Sequence, residues 1–131
     1  MKYIYTNKEA KAIDRHAIET VGMSGLVLME KAAMSVAAIF SAREKKEARV
    51  LAVCGTGNNG GDAIAVARIL HEMGYQSAIT VIGETERMTK ETAKQLEIAV
   101  GCQVPVLSLS SICEEAFDVM IDGIFGVGLT R

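Results

Sequence analysis

The chain has 131 residues, of which 50% are hydrophobic and 23% charged, and its formal net charge is -2 at pH 7. This is the size of one ordinary globular domain, so we expect a single core formed by residues 1–131. The slightly acidic balance gives no long-range attraction to nucleic acid or to an anionic membrane, and we expect binding to neither.

Two helices are predicted before the first strand. Thr6 and Glu9 form a capping-box pattern ahead of apolar residues at helical spacing, so the first helix should begin near Asn7. Gly22 interrupts this pattern, and a second apolar face follows over residues 26–40. The amino terminus is too charged for a signal peptide, and we expect no segment long enough to span a membrane.

Short β-rich runs then alternate with helical ones, which is typical of a parallel sheet. The predicted strands are residues 50–54, 77–82, 104–107 and 118–122. The predicted helices between them are residues 61–73, residues 86–100 and a short helix that opens with a capping box of Ser111 and Glu114. Gly74 and Gly101 fit positions just past helix ends. These elements predict an α/β fold: a Rossmann-like, doubly wound, mostly parallel sheet in three αβα layers.

A glycine-rich loop, GTGNNGGD, occupies residues 55–62, between the first predicted strand and its helix. Its glycines match the G-x-G-x-x-G pattern, in which backbone amides approach an anion at a helix amino terminus. A tight turn alone would also need glycines, so the spacing leaves both explanations open. Asn58, Asn59 and Asp62 add polar groups that a bare turn does not need. Glu84 stands near the position of the ribose-binding acid in a nicotinamide dehydrogenase.

A second glycine-rich stretch, IDGIFGVGLTR, covers residues 121–131. Here an apolar strand ends in Asp122 and passes into a loop. The first and fourth strands of a doubly wound sheet are neighbours at the topological switch point, so the loops after Cys54 and after Asp122 should face one crevice. We expect the loops to share one ligand. A purely structural role for Asp122, as a carboxylate that accepts nearby backbone amides, stays open.

Taken together, these two motifs and the leader TNKEAKAIDRHAIETVGMSGLVLMEKAA resemble the NAD(P)H-hydrate epimerase family, the YjeF N-terminal domain. The resemblance covers the whole chain. It implies an isomerase that interconverts the R and S forms of hydrated NADH and NADPH, so that damaged cofactor can be repaired. It also implies a homodimer and a fused or separate NAD(P)H-hydrate dehydratase. The family has further strands and helices after the fourth strand, so we expect the domain to be incomplete at residue 131.

The resemblance further implies which residues form the site. Those that would bind the hydrated dinucleotide are Asn58, Asn59, Gly60, Gly61 and Asp62 in the first loop and Gly126, Val127, Gly128, Leu129, Thr130 and Arg131 in the second. Asn59 and Asp122 would ligate a potassium ion. Amide and carboxylate oxygens suit a hard cation, although these residue types alone also admit sodium or magnesium. No residue is assigned as catalytic.

Two other functions remain open from the residues alone. One is a nucleotide-binding or interaction module without turnover, and the other is an NAD-dependent dehydrogenase. The cysteines Cys54, Cys102 and Cys113 are odd in number and show no C-x-x-C spacing, which favours a reducing compartment. We therefore expect a cytoplasmic location.

Overall fold

The computed structural model describes residues 3–125, which begin with two helices that precede the sheet. Helix α1 is Asn7–His16 and continues into a π-helical turn, Ala17–Val21; helix α2 is Gly25–Arg43. Thr6 Oγ1 accepts the Glu9 N–H at 3.2 Å, and the Glu9 carboxylate accepts the Thr6 N–H at 2.7 Å. The predicted capping box is therefore confirmed.

The remaining elements alternate between strands and helices. In chain order they are β1 (Arg49–Cys54), α3 (Asn58–Glu72), β2 (Gln76–Val81), α4 (Lys90–Gly101), α5 (Leu109–Ile112) and β3 (Val119–Gly123). All pairings are parallel, and the strand order is β2-β1-β3. At the carboxyl ends Cys54 is in register with Val81 on one side and with Gly123 on the other. The first and last predicted strands are thus neighbours, as expected.

The predicted strand at residues 104–107 is wrong, because this segment makes only one bridge, between Val106 and Ile79. Ile79 donates to the Pro105 carbonyl at 2.8 Å and accepts from the Leu107 N–H at 2.7 Å. Pro105 has no N–H with which to extend the ladder. The Leu107 carbonyl accepts the Thr80 hydroxyl at 2.9 Å, so the pairing stops there. The segment still lies beside β2, so the order of the strands and this segment along the sheet is that of a doubly wound fold.

Several predicted helix limits also need correction. Helix α3 begins at Asn58, three residues before the predicted start, and α4 begins at Lys90 because a separate 3-10 turn, Thr85–Arg87, precedes it. Gly101 lies inside α4, and Gln103 adopts the left-handed conformation after that helix, with φ 64°. Gly74 does take the predicted left-handed position after α3, with φ 101°.

The predicted capping box of Ser111 and Glu114 is wrong as well. Helix α5 starts at Leu109, and Ser108 is its N-cap. The Ser108 hydroxyl accepts the Ser111 N–H at 3.2 Å. Helix α5 begins directly after the segment's bridge to β2. Ser108 therefore occupies the N-cap position, and Ser111 lies inside the helix.

Both faces of the sheet are covered, which confirms the layered α/β fold. On one face Ala52, Cys54 and Ile79 pack against buried residues of α3 and α4. On the other, Leu51, Val53 and Ala78 pack against apolar side chains from α5 and from the segments on either side of α5 and β3: Leu107, Ile112, Phe117 and Ile124. The crossover from one face to the other creates the switch point between β1 and β3.

Helix α2 packs beside α3 through a narrow face. Its buried residues are Met29, Ala33 and Ala37, and Glu30 forms an ion pair with the buried Arg68 of α3. Within residues 3–125, α2 alone is long and apolar enough, by length and composition only, to cross a membrane. This corrects the expectation that no segment reaches that length. Much of the apolar surface of α2 stays exposed.

Candidate functional site

The loop after β1 is built around a close approach between two glycines. A Cβ at Gly60 would overlap the carbonyl oxygen of Gly55, so a side chain there would force the turn open. Gly60 donates to the Gly57 carbonyl at 3.0 Å, and Gly57 is the N-cap of α3. Gly57 has no side chain, so it cannot accept a hydrogen bond from the N–H groups in the first turn of α3 as a serine or aspartate cap would. The loop therefore presents backbone amides at the carboxyl end of β1.

The loop after β3 lies directly against the first one. Gly55 donates to the Gly123 carbonyl at 2.9 Å, and the Asn59 side chain donates through Nδ2 to the Phe125 carbonyl at 2.6 Å. A Cβ at Gly123 would overlap the Ala63 side chain, so glycine permits this close approach. The structure thus brings together the two loops that the sequence places far apart.

The two predicted cation ligands lie at this same end of the sheet. Asp122 is exposed and immediately precedes Gly123 in the chain. A Cβ added at Gly123 would lie close to the main-chain carbonyl oxygen of Asn59. One Asp122 carboxylate oxygen accepts the Ile124 N–H at 3.0 Å, which is the structural role left open by the sequence. The other oxygen and the Asn59 amide oxygen accept no hydrogen bond within residues 3–125. In that range no three acidic, histidine or cysteine side chains converge.

A threonine network below the first loop was missed by the sequence analysis. Thr89 Oγ1 donates to the Asn58 amide oxygen at 2.6 Å, and its N–H donates to the Thr56 carbonyl at 3.0 Å. Thr92 Oγ1, which is fully buried, donates to the Gly57 carbonyl at 2.8 Å. The available signal was Thr89 itself, a helix-capping residue type ahead of an apolar helical face. Helix α4 therefore helps to hold the loop.

Two ionisable groups near the loop have raised pKa values. Burial, and secondarily the negative charge of Asp14 on α1, raises the pKa of the half-buried Asp62 carboxyl. Burial raises the pKa of the Cys54 thiol to about 12, so this sulfur is neutral and a poor nucleophile. Glu84, which stands near the position of the ribose-binding acid in a dehydrogenase, is exposed and forms an ion pair with Arg87 at 3.2 Å. Burial thus makes the Asp62 carboxyl hold its proton more tightly than an ordinary aspartate does, because it raises the pKa of that group.

The described residues therefore contain part of the predicted substrate site. Asn58, Asn59 and Gly60 lie in the first turn of α3, with Gly61 and Asp62 directly after them. A Cβ at Gly61 would stand 2.6 Å from Thr92 Oγ1, so this glycine admits the supporting threonine. The predicted second-loop residues Gly126, Val127, Gly128, Leu129, Thr130 and Arg131 lie outside the described residues.

The strand order, the glycine turn after β1 and the adjoining loop after β3 define a Rossmann-like α/β domain with its topological switch point between β1 and β3. Residues 25–131 match the family model of the YjeF-related protein N-terminus, and the chain belongs to this family. The resemblance drawn from the two glycine motifs is confirmed.

Several relatives carry the same name. The chain is 40% identical over 132 residues to the NAD(P)H-hydrate epimerase of Levilactobacillus brevis, covering 100% of this chain and 60% of the relative. It is 36% identical to that of Limosilactobacillus fermentum, covering 96% and 60%. The crystal structure of yeast YNL200c matches with a TM-score of 0.79 and 29% identity, over 99% of this chain and 59% of that one. The chain thus spans about 60% of the length of these relatives.

Proposed function

We propose that this protein is an NAD(P)H-hydrate epimerase, an isomerase that interconverts the R and S forms of hydrated NADH and NADPH. The observation that carries the proposal is the hydrogen bond from Asn59 to the Phe125 carbonyl, since it joins the two glycine-rich loops at the switch point. Curated relatives with this name are 34–40% identical to the chain over the residues that align with it.

The first loop is suited to the pyrophosphate of a dinucleotide. The amino terminus of α3 offers unpaired N–H groups and the positive end of a helix dipole. Thr89 and Thr92 hold Asn58 and the Gly57 carbonyl in place, so the loop is organised before a ligand binds. The predicted residues of the second loop, Gly126–Arg131, belong to the proposed substrate site as well.

Potassium is the proposed cofactor, with Asn59 and Asp122 as ligands. Both residues offer an oxygen that accepts no hydrogen bond within the described part of the chain, and carboxylate and amide oxygens suit a hard cation. When bound, the ion supplies fixed positive charge beside an anionic dinucleotide. Asn59 can serve this role without giving up its bond to Phe125, because that bond uses the amide nitrogen.

The reaction moves a hydroxyl from one face of a reduced ring to the other. Departure of the hydroxyl needs a proton, and the ring it leaves is cationic. Asp122 is a poor acid if it holds a cation, whereas burial raises the pKa of Asp62. Asp62 is therefore the better proton donor of the two loop carboxyls in this proposal.

A homodimer is also proposed. The first two helices expose a set of apolar side chains, each 44–64% accessible: Ile13, Ile18, Val21, Val27, Met34, Val36 and Ile39. Exposed apolar side chains in such number are a common feature of protein–protein interfaces. A second copy that covers it would also explain why α2 is so apolar. The fused or separate dehydratase partner and the cytoplasmic location belong to the same proposal.

The test is the rate of R-to-S conversion of NADPH hydrate, measured with a dehydratase present to consume the S form. The protein should exceed the spontaneous rate in potassium buffer, and Asp122→Ala should lose most of that acceleration. Glu84→Ala, an exposed acid outside the two loops, is the matched control and should retain it. If the folded protein gives no acceleration, this chain is at most a binding fragment and the epimerase proposal is wrong for it.

The same samples separate the alternatives. A binding module without turnover would bind NADPH hydrate but leave the spontaneous rate unchanged. An NAD-dependent dehydrogenase would bind intact NADH at least as tightly as its hydrate, and it would transfer hydride to a substrate. Isothermal titration with NADH and with its hydrate therefore decides between an epimerase and a dehydrogenase.

A further inference from the structure

The two asparagines of the first loop are held by opposite ends of their side-chain amides. The Asn58 amide oxygen accepts the Thr89 hydroxyl at 2.6 Å, whereas the Asn59 amide nitrogen donates to the Phe125 carbonyl at 2.6 Å. The Asn58 nitrogen and the Asn59 oxygen have no hydrogen-bond partner within residues 3–125. Two neighbouring residues of the same type therefore offer opposite chemistry to a ligand, since Asn58 offers a donor and Asn59 an acceptor.

The proton of the Thr89 hydroxyl decides the orientation of the Asn58 amide. Thr89 Oγ1 accepts the Thr92 N–H at 3.2 Å as the N-cap of α4, so its own proton is free for another acceptor. Two oxygens are within reach of that proton: the Asn58 amide oxygen at 2.6 Å and Thr92 Oγ1 at 2.9 Å. A hydroxyl has one proton, and the shorter distance marks Asn58 as its acceptor. The amide nitrogen of Asn58 therefore faces away from Thr89.

The free amide nitrogen of Asn58 belongs to a group of unpaired donors. Asn58 and Asn59 are the first two residues of α3, and their main-chain N–H groups have no backbone acceptor in the described part of the chain. Asn58 is exposed, so a ligand can reach its side chain. A phosphate group has several acceptor oxygens, and it can receive N–H groups from the main chain and from the Asn58 side chain together.

We propose that Thr89 is a positioning residue, which fixes the Asn58 amide with its nitrogen toward the phosphate oxygens of the substrate. The two asparagines then have separate tasks, because Asn58 donates to the anionic dinucleotide and Asn59 gives its oxygen to the cation. This positioning role rests on the proposed function for its substrate. Thr89 belongs to neither glycine loop, and it acts from α4 through a hydrogen bond between residues 31 positions apart.

Inorganic pyrophosphate tests the orientation of Asn58 without any need for turnover. In NMR spectra of the isotope-labelled protein, pyrophosphate should shift the side-chain NH₂ signals of Asn58 more than those of Asn59. Asn58→Leu removes the donor and should weaken pyrophosphate binding about tenfold, as expected for a hydrogen bond to a charged group. Unmoved Asn58 side-chain signals, or a larger shift at Asn59, would overturn the proposal.

Three variants separate the positioning of Asn58 from the capping of α4. Thr89→Val removes the hydroxyl and should weaken pyrophosphate binding about fivefold, while Thr89→Ser keeps the hydroxyl and should bind as the parent protein does. Ser108→Ala removes the N-cap of α5, which is distant in the chain from both asparagines, and should leave pyrophosphate binding unchanged. Thermal unfolding shows whether each variant is folded. A folded Thr89→Val protein with parent affinity, or a Thr89→Ser protein as weak as Thr89→Val, contradicts the role of Thr89.

The epimerisation assay distinguishes a failure of this role from a failure of the proposed function. With NADPH hydrate, Thr89→Val should raise the KM about fivefold and leave kcat within about twofold of the parent value, since Thr89 orients a binding group. A protein whose Asn58 signals respond to pyrophosphate but which does not epimerise would support the role of Thr89 and disprove the function. Epimerisation with an unchanged KM in Thr89→Val would disprove the role of Thr89 alone.

Discussion

Asn59 donates through its side-chain Nδ2 to the main-chain carbonyl oxygen of Phe125, at 2.6 Å. The two residues follow different strands, β1 and β3, that are neighbours in the sheet. Their bond leaves the Asn59 amide oxygen available to a cation. One side chain can therefore join the two loops and contribute a ligand at the same time.

This double role predicts different effects for two substitutions of Asn59. Asn59→Leu removes both the donor and the oxygen, so replacing choline with potassium should no longer raise the unfolding temperature. Asn59→Asp loses the donor but keeps an oxygen, so part of the potassium effect should remain. Thermal unfolding in matched chloride buffers measures both. A full potassium effect in Asn59→Leu would show that the cation binds elsewhere.

The glycine turn predicts a contrast between Gly60 and Gly57. Gly60→Ala forces a Cβ against the Gly55 carbonyl, and overpacking of this kind costs about 1–3 kcal/mol. At Gly57 nothing in the described part of the chain lies within 4 Å of an added Cβ, and its φ is -77°. Gly57→Ala should therefore cost only the N-cap preference for glycine over alanine, about 0.5–1 kcal/mol. Urea unfolding compares the two, and equal losses would contradict the packing explanation.

The threonine network predicts that the Thr92 hydroxyl stabilises the loop. Thr92→Val keeps the shape of the side chain but removes the 2.8 Å bond to the Gly57 carbonyl, at a cost of about 1 kcal/mol. Thr92→Ser keeps the hydroxyl and serves as the control for that bond. If the loop binds the substrate, Thr92→Val should raise the KM of epimerisation more than it lowers kcat. An unchanged KM in a folded Thr92→Val protein would remove Thr92 from the site.

Asp62 predicts a pH-dependent effect on stability. Its pKa is raised in the folded state, chiefly by burial, so the folded protein binds this proton more tightly than the unfolded chain does. Stability from this group is present at low pH and is lost as pH rises through the folded pKa. Asp62→Asn should therefore raise the unfolding temperature at pH 7 relative to the parent and lose this advantage below the ordinary aspartate pKa.

The epimerase activity of Asp62→Asn should fall, whereas its stability at pH 7 should rise. Asp62→Asn cannot donate a proton, so the epimerase rate at pH 7 should fall even though the protein is more stable. Asp14→Asn tests the neighbouring charge without touching the loop, and it should raise stability at pH 7 to a smaller extent, because burial is the larger cause of the shift. A constant difference between Asp62→Asn and the parent at all pH values would contradict the raised pKa.

Local patterns were sufficient for much of the fold. The Thr6 capping box, the alternation of strands with helices and the left-handed position at Gly74 all depend on residues close in sequence, and the structure confirms each. Predictions failed where a distant contact decided the outcome. Pro105 and Thr80 ended the pairing of the third predicted strand, and Ser108 capped α5 because the chain turned there.

The sequence by itself determined which chemistry the crevice could offer: glycines for close backbone approach, amide and carboxylate oxygens for a cation, and the order of the two loops. Only the tertiary structure placed Asn59 against Phe125, Thr92 under Gly57 and Arg49 beside Glu115. Each of these contacts joins residues that are far apart in the chain. Their geometry depends on how the helices and strands pack, and periodicity and spacing carry no information about that packing.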